Sequence, residues 1–157
     1  MKIEIKNSHL NPILSCLQKL DKPPTEGAKP YKLKANIRYQ IGRSQKKFQG
    51  YCEGIAEIRD PVIRKFLEIQ NRGLETPVNN FVDYDIGNQA NDELKPLYDS
   101  VEERTVYQIK LEDLDLDTNP IPAEVWSPLL GVIITDKHFD KETEEEPSPG
   151  DPPENEE

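Results

Sequence analysis

The sequence predicts an α+β fold that is mostly helical, with one long kinked central helix and a small two-stranded antiparallel ribbon. Apolar residues recur every three or four positions through residues 31–69, which is the period of an amphipathic helix. Two short segments, 1–7 and 105–111, alternate with the period of two that is typical of a half-buried strand. The acidic segment 140–157 has the composition of a disordered tail, so we expect a single domain over residues 1–139.

The chain opens with a strand and a short helix. Ile3 and Ile5 alternate with charged residues, and the leucines that follow fall on one face of a helix. The sequence allows two positions for the start of this helix. Either Ser8 caps it with Pro12 in the first turn, or Asn11 caps it with Pro12 at the first helical position. A loop with two prolines and a glycine follows and separates this helix from the next.

The long helix carries most of the apolar surface of the chain. Its apolar face consists of Leu33, Ile37, Ile41, Phe48, Tyr51, Cys52, Ile55, Ile58, Val62, Phe66 and Ile69, with Ser44 in the one polar gap. Burial of a large apolar side chain contributes about 1.5–3 kcal/mol, so this face must be covered, either within one chain or by a second copy. Pro61 removes a backbone donor and predicts a kink, or a break followed by a restart, at Asp60.

Shorter elements make up the second half of the chain. Residues 74–90 are expected to form a connection that is held to the body by Phe81, Val82, Tyr84 and Ile86. Residues 91–104 have helical spacing with Pro96 in the first turn, and residues 105–111 form the strand that pairs with the N-terminal one. A short helix over 122–130 and a final apolar segment complete the ordered body.

The negative charge of the chain is concentrated at one end. The net charge is −10, but residues 140–157 contain nine acids and one base, a charge of −8 that leaves −2 for residues 1–139. The folded part is therefore close to neutral, which argues against a surface that imitates the phosphates of DNA. The tail has no aliphatic or aromatic side chain, and it acts either as a solubilising appendage or as a tether that wraps a basic partner.

Cysteine usage and hydropathy favour a reducing, aqueous location. Cys16 and Cys52 fall on apolar helical positions, where we expect buried, reduced thiols rather than a disulfide. The N-terminus lacks the apolar core of a secretory signal, and no apolar run approaches the ~20 residues of a membrane span. The cytoplasm is therefore the expected compartment.

Three stretches carry a resemblance to a known group of proteins. They are the opening MKIEIKN, the stretch YKLKANIRYQIGRSQKKFQGYCEGIAEI and the closing YQIKLEDLDLDTNPIPAEVWSPLL. Their layout of strand, helix, long basic helix, helix, strand and short helix resembles a widespread group of short phage-encoded proteins. The resemblance implies an accessory or assembly role in the host-cell cytoplasm or on the virion, and it offers no catalytic residues. The Asp60–Pro61 step, the 74–90 connection and the acidic tail depart from the compact form of that group.

Basic residues are concentrated at the start of the long helix, without an intervening acid and next to Tyr31 and Tyr39. Such a run binds phosphate backbones through counterion release and stacking, or it is a solvated face that attracts the acidic remainder of the chain. No base-reading motif accompanies it. The predicted interaction surface consists of Lys32, Lys34, Arg38, Arg43, Lys46 and Lys47.

No pattern predicts catalysis, a cofactor or a metal ion. The acids with the spacing of an EF-hand loop are Asp113, Asp115, Asp117 and Glu124. Thr118 replaces the glycine of that loop and a strand precedes it, so plain alternation of outward aspartates and inward leucines is the preferred interpretation. His9 and His138 are the only histidines, near opposite ends of the body, and neither cysteine belongs to a nucleophile motif.

These observations predict a non-enzymatic phage accessory or assembly protein that acts through protein–protein interaction. The expected partner is a phage or host protein, with a second copy of the chain as a further partner and no membrane. Two alternatives come from other classes. One is a phage-encoded inhibitor of a host defence or nucleic-acid enzyme that uses the acidic tail, and the other is a nucleic-acid binder that uses the basic run.

Overall fold

The computed structural model describes residues 1–136, and the predicted acidic tail lies outside these described residues. The elements are β1 (Lys2–Lys6), α1 (Leu10–Asp21), α2 (Ala35–Asn71), α3 (Tyr84–Asp99), β2 (Val101–Thr105), β3 (Ile109–Lys110), α4 (Ala123–Trp126) and β4 (Ile134–Thr135). Short 3₁₀ turns lie at Asn7–His9, Leu111–Leu114 and Ser127–Leu129. The predicted α+β class, the long helix and the small antiparallel sheet are confirmed.

Helix α2 is the central element. It has 37 residues, which corresponds to a length of roughly 55 Å. Pro61 lies inside this helix and the helix continues through it, so the break that the sequence allowed does not occur. The helix begins later than predicted because the segment before it is held by Asn119. The amide of Asn119 accepts the Lys32 N–H at 2.7 Å and donates to the Lys32 carbonyl at 3.0 Å, which fixes this segment as a loop.

The buried face of α2 turns around the helix axis beyond Ile55. In the first half, the predicted face is confirmed by burial of Ile37, Ile41, Ser44, Phe48 and Ile55. In the second half, the buried residues are Phe66 and Gln70, whereas Ile58 (58 % exposed) and Ile69 (42 % exposed) contact solvent. The prediction was wrong for these two isoleucines because α3, not the main core, covers this half. Phe66 lies about 80° around the helix from Ile58.

A hydrogen-bonded connection joins α2 to α3. The buried amide of Gln70 accepts the N–H groups of Val82 and Asp83, at 2.8 and 2.9 Å, and donates to the Asn80 carbonyl at 3.0 Å. The Asp83 carboxylate then accepts two backbone N–H groups of the first turn and caps α3. Helix α3 therefore begins at Tyr84, well before the predicted start at residue 91.

The side chains around the start of α3 also differ from the prediction. Val82 and Tyr84 were expected to contact the body but are 59 % and 82 % exposed. Hydrogen bonds between the Gln70 side chain and backbone groups hold this segment instead. Pro96 lies in the last turn of α3 rather than in the first. The helix ends at Asp99. Residues 101–104, which the sequence pattern predicts as part of this helix, form a strand instead.

The strand that pairs with β1 is Val101–Thr105 rather than residues 105–111. It is antiparallel to β1, with Ile3 opposite Arg104. Asn7 fixes this position, because its side chain donates to the Leu97 carbonyl at 2.9 Å and its backbone N–H donates to the Ser100 carbonyl at 2.9 Å. Of the predicted strand 105–111, Thr105 ends β2 and Ile109–Lys110 form the short β3. Strand β3 pairs in parallel with β4 in a second sheet that the sequence did not predict.

Helix α1 starts from a 3₁₀ turn instead of from a side-chain cap. His9 is the residue before the first helical position and its side chain makes no capping hydrogen bond, so neither Ser8 nor Asn11 caps the helix. Helix α1 packs on α2 and on the C-terminal turns. The main core joins these elements through fully buried side chains, among them Leu10, Leu17, Ile41, Phe48, Leu114, Leu129 and Ile133.

Replacement of Phe48 by alanine is expected to lower the free energy of unfolding by about 3–5 kcal/mol, because its ring is fully buried in the main core. The control is Ile58→Ala on the same helix, which should change it by less than about 0.5 kcal/mol because Ile58 is mostly exposed. Urea unfolding followed by circular dichroism measures both. Equal losses would contradict the assignment of the buried face.

Candidate interaction site

The structure divides the six predicted basic residues into two sets. One set lines an open cleft of about 560 Å³ beside α2, together with Gly50, Tyr51 and Tyr107, and it consists of Arg43, Lys46 and Lys47. These three side chains fall within five consecutive residues of the helix and are exposed to solvent. We call this site the basic cleft.

The other set lies outside the basic cleft. Lys32 and Lys34 precede the first helical residue, in the loop that Asn119 holds. Arg38 lies about 140° around the helix from Arg43, and its guanidinium donates to the carbonyl of Tyr31 at the start of that loop. The predicted run of six cations is therefore a cleft of three and a separate group near the helix N-terminus.

Tyr107 forms one wall of the basic cleft and is positioned by Ser44. The hydroxyl of Ser44, which is fully buried on α2, donates to the Tyr107 carbonyl at 2.9 Å. This bond holds the segment between β2 and β3 against the helix. The guanidinium carbon of Arg43 then lies 3.8 Å from the centre of the Tyr107 ring and 5.6 Å from that of Tyr39. Stacking on two rings restrains Arg43 while its charge stays in solvent.

Tyr51 forms the other wall and is fixed at both its ring and its hydroxyl. The hydroxyl accepts the Thr105 N–H at 3.1 Å and donates to the Thr105 carbonyl at 3.0 Å. The ring contacts Phe48 edge-on, with 5.5 Å between the ring centres, and the Arg104 guanidinium lies 4.7 Å from its centre. These contacts tie the end of β2 to α2, so the cleft has rigid walls.

The cations of the basic cleft lack counter-charges in the described part of the chain. Within residues 1–136, no ion pair includes Arg43, Lys46 or Lys47. Two bases further along the same helix, Arg59 and Lys65, are paired. Arg59, for example, donates to Asp60 at 3.0 Å, and this hydrogen bond raises the pKa of the guanidinium. The cleft therefore presents three positive charges that are available to an external anionic group.

The acids with EF-hand spacing do not converge. The Asp113 carboxylate accepts the Lys110 N–H at 3.1 Å and closes the 3₁₀ turn Leu111–Leu114, and Glu124 lies in α4. Leu114 is buried, as the expected alternation of inward leucines and outward aspartates requires, but the segment Leu111–Leu114 is a 3₁₀ turn rather than a strand. Over residues 1–136, no group of three or more His, Cys, Asp or Glu side chains is placed to hold a metal ion.

The two thiols are free and are poorly suited to nucleophilic chemistry. Burial raises the pKa of Cys16, although Lys19 lowers it in part. Burial also raises the pKa of Cys52, against the opposing effect of Arg104. A raised pKa reduces the fraction of thiolate at neutral pH, and the thiolate is the reactive form. His138, one of the two histidines, lies outside the described residues.

The sequence identified the cations of the basic cleft but missed its walls. Tyr107 and Tyr51 were read as apolar positions of a strand and a helix, and no local pattern places one beside the other. The available signal was Ser44, since a serine in an otherwise apolar helical face indicates a buried hydroxyl that needs a partner. That partner is the Tyr107 carbonyl.

No protein family, curated protein or solved structure matches the chain. In the part of the chain that the structure describes, no helix combines the length and the apolar character needed to cross a membrane. Interpretation of the basic cleft therefore depends on its own geometry and charge.

Removal of the Tyr51 hydroxyl by Tyr51→Phe is expected to destabilise the protein by about 1–3 kcal/mol, because both backbone groups of Thr105 lose their partner. Tyr39→Phe is a matched control on the same helix. Its ring is 65 % exposed, so the same chemical change should cost less than about 0.5 kcal/mol. Thermal and urea unfolding of both variants measure the difference, and a neutral Tyr51→Phe would contradict the described wall.

Proposed function

We propose that this protein is a non-enzymatic interaction protein whose basic cleft binds an acidic segment of a partner protein. The observation that carries the proposal is the convergence of Arg43, Lys46 and Lys47 on one cleft without an ion pair among residues 1–136. Charge-assisted hydrogen bonds from guanidinium and ammonium groups to carboxylates are stronger than those between neutral groups. A cleft with restrained walls also lowers the entropic cost of binding.

The occupied aromatic face of Tyr107 favours a carboxylate-bearing partner over a nucleic acid. Binding of single strands uses aromatic rings on which bases stack. In this cleft, Arg43 covers one face of the Tyr107 ring at 3.8 Å. A base would have to displace this guanidinium before it could stack on that face. Carboxylates need no such displacement, because they contact the charged groups directly.

The biological setting that we propose comes from the sequence layout. Its resemblance to short phage-encoded proteins supports a phage accessory or assembly role in the host-cell cytoplasm or on the virion. The partner would then be a phage or host protein. An inhibitor of a host defence or nucleic-acid enzyme would use the same kind of contact, and the identity of a partner recovered from producing cells separates the two roles.

The double variant Lys46→Glu with Lys47→Glu is expected to weaken binding of an oligoglutamate peptide about tenfold or more. Each exposed ion pair contributes about 0.2–1 kcal/mol, and the change replaces two attractions by two repulsions. Fluorescence anisotropy of a labelled peptide at low salt measures the affinity. A single-stranded oligonucleotide of equal charge, titrated at low and moderate salt, tests the nucleic-acid alternative.

The matched control is Lys32→Glu with Lys34→Glu, which changes the net charge equally in the same basic run but outside the cleft. It should retain most of the affinity for the peptide. Equal losses in both double variants would show that only net charge matters and would contradict a cleft-specific site. Tighter binding of the oligonucleotide than of the peptide, with a steep salt dependence, would favour the nucleic-acid function instead.

A further inference from the structure

We infer that the acidic residues 142–146 of the same molecule occupy the basic cleft and compete there with the partner. The inference depends on the proposed function, since it assigns to the cleft an internal competitor of the same chemistry. A partner would then have to displace this segment before it could bind to the cleft.

Charge complementarity determines the choice of occupant. Residues 142–146 read Glu-Thr-Glu-Glu-Glu, four acids in five residues without a base. Some acids of the body are already paired on other surfaces, such as Asp99 with Lys6 at 3.2 Å and Glu93 with Lys65 at 3.1 Å. The three cations of the cleft have no such partner among residues 1–136, so the acidic segment supplies the missing counter-charge.

The end of the described chain lies near the cleft. Ile134 pairs with Ile109 in the β3–β4 sheet, and Tyr107, a wall of the cleft, precedes Ile109 by two residues. With at most ~3.5 Å per residue and ~5 Å between paired strands, the backbone of Asp136 lies within about 19 Å of Tyr107. Residues 137–144 span up to about 28 Å, which exceeds this distance. The chain between Asp136 and the acidic segment is therefore long enough for that segment to reach the cleft.

Tethering makes even a weak contact effective. A segment joined by a short linker has an effective concentration of about 1 mM at its site. If the segment binds with a Kd of about 0.1 mM, it occupies the cleft in roughly nine molecules of ten and weakens an external acidic peptide about tenfold. Ionic contacts between exposed groups are screened by salt, so this competition should disappear at high ionic strength.

The test uses the full chain and the labelled oligoglutamate peptide. Replacement of Glu142, Glu144, Glu145 and Glu146 by glutamine should tighten peptide binding about tenfold at low salt. The control replaces four exposed body acids, Glu4, Glu26, Glu68 and Glu75, by glutamine and changes the net charge equally. It should change the affinity much less. In the Lys46→Glu with Lys47→Glu background, neutralising the tail should have no effect.

Carbodiimide cross-linking locates the contact. It condenses a lysine amine with a carboxylate, and mass spectrometry of the monomeric fraction should find residues 142–146 joined to Lys46 or Lys47. Unchanged peptide affinity after tail neutralisation, or cross-links found only in dimers at high protein concentration, would overturn the inference. The proposed function would survive either result, because its own test compares peptide binding by the Lys46→Glu with Lys47→Glu and the Lys32→Glu with Lys34→Glu variants, which both keep the acidic tail.

Discussion

The length of α2 is the constraint on which the rest of the structure depends. The helix is about 55 Å long, whereas α1 and α3, with 12 and 16 residues, cover only about 18 and 24 Å. No single neighbour can bury its apolar side. Helix α1 and the C-terminal turns cover the first half, and α3 covers the second half from another direction. The buried face therefore turns along the helix, and Ile58 and Ile69 remain exposed where the two covers do not overlap.

Buried polar side chains fix the loops that this arrangement requires. The helices that cover α2 are short, so the chain changes direction between them. Four buried amide or hydroxyl side chains satisfy backbone groups at or near these changes of direction. Asn7 holds the turn between α3 and β2, Gln70 the connection from α2 to α3, Asn119 the loop before α2, and Ser44 the segment at Tyr107. The basic cleft is a consequence, because Ser44 brings an aromatic wall against a flank of α2 that is exposed among residues 1–136.

The sequence predicted the elements that local periodicity determines and missed those that distant contacts determine. The first half of α2 follows from the spacing of Ile37, Ile41 and Phe48, and its cations are visible as a run. The strand Val101–Thr105 has no alternating pattern, since it is largely charged and is held by pairing with β1. The pairing of β3 with β4 joins residues that are 25 positions apart, as for Ile109 and Ile134, and no short segment encodes such a contact.

The distribution of charge is the reason for proposing an acidic protein segment, rather than a nucleic acid, as the ligand of the basic cleft. The described body carries little net charge, so it does not attract a long polyanion from a distance. Electrostatic interactions between exposed groups decay over about 8 Å at physiological salt, so only an anion that approaches this closely experiences the three cations. A long duplex would also bring its phosphates near the acids that flank the cleft on the chain, Glu53 and Glu57. The short acidic segment that we propose as the ligand would extend over fewer residues of the helix and would meet these acids less, which is the physical reason for proposing a protein ligand.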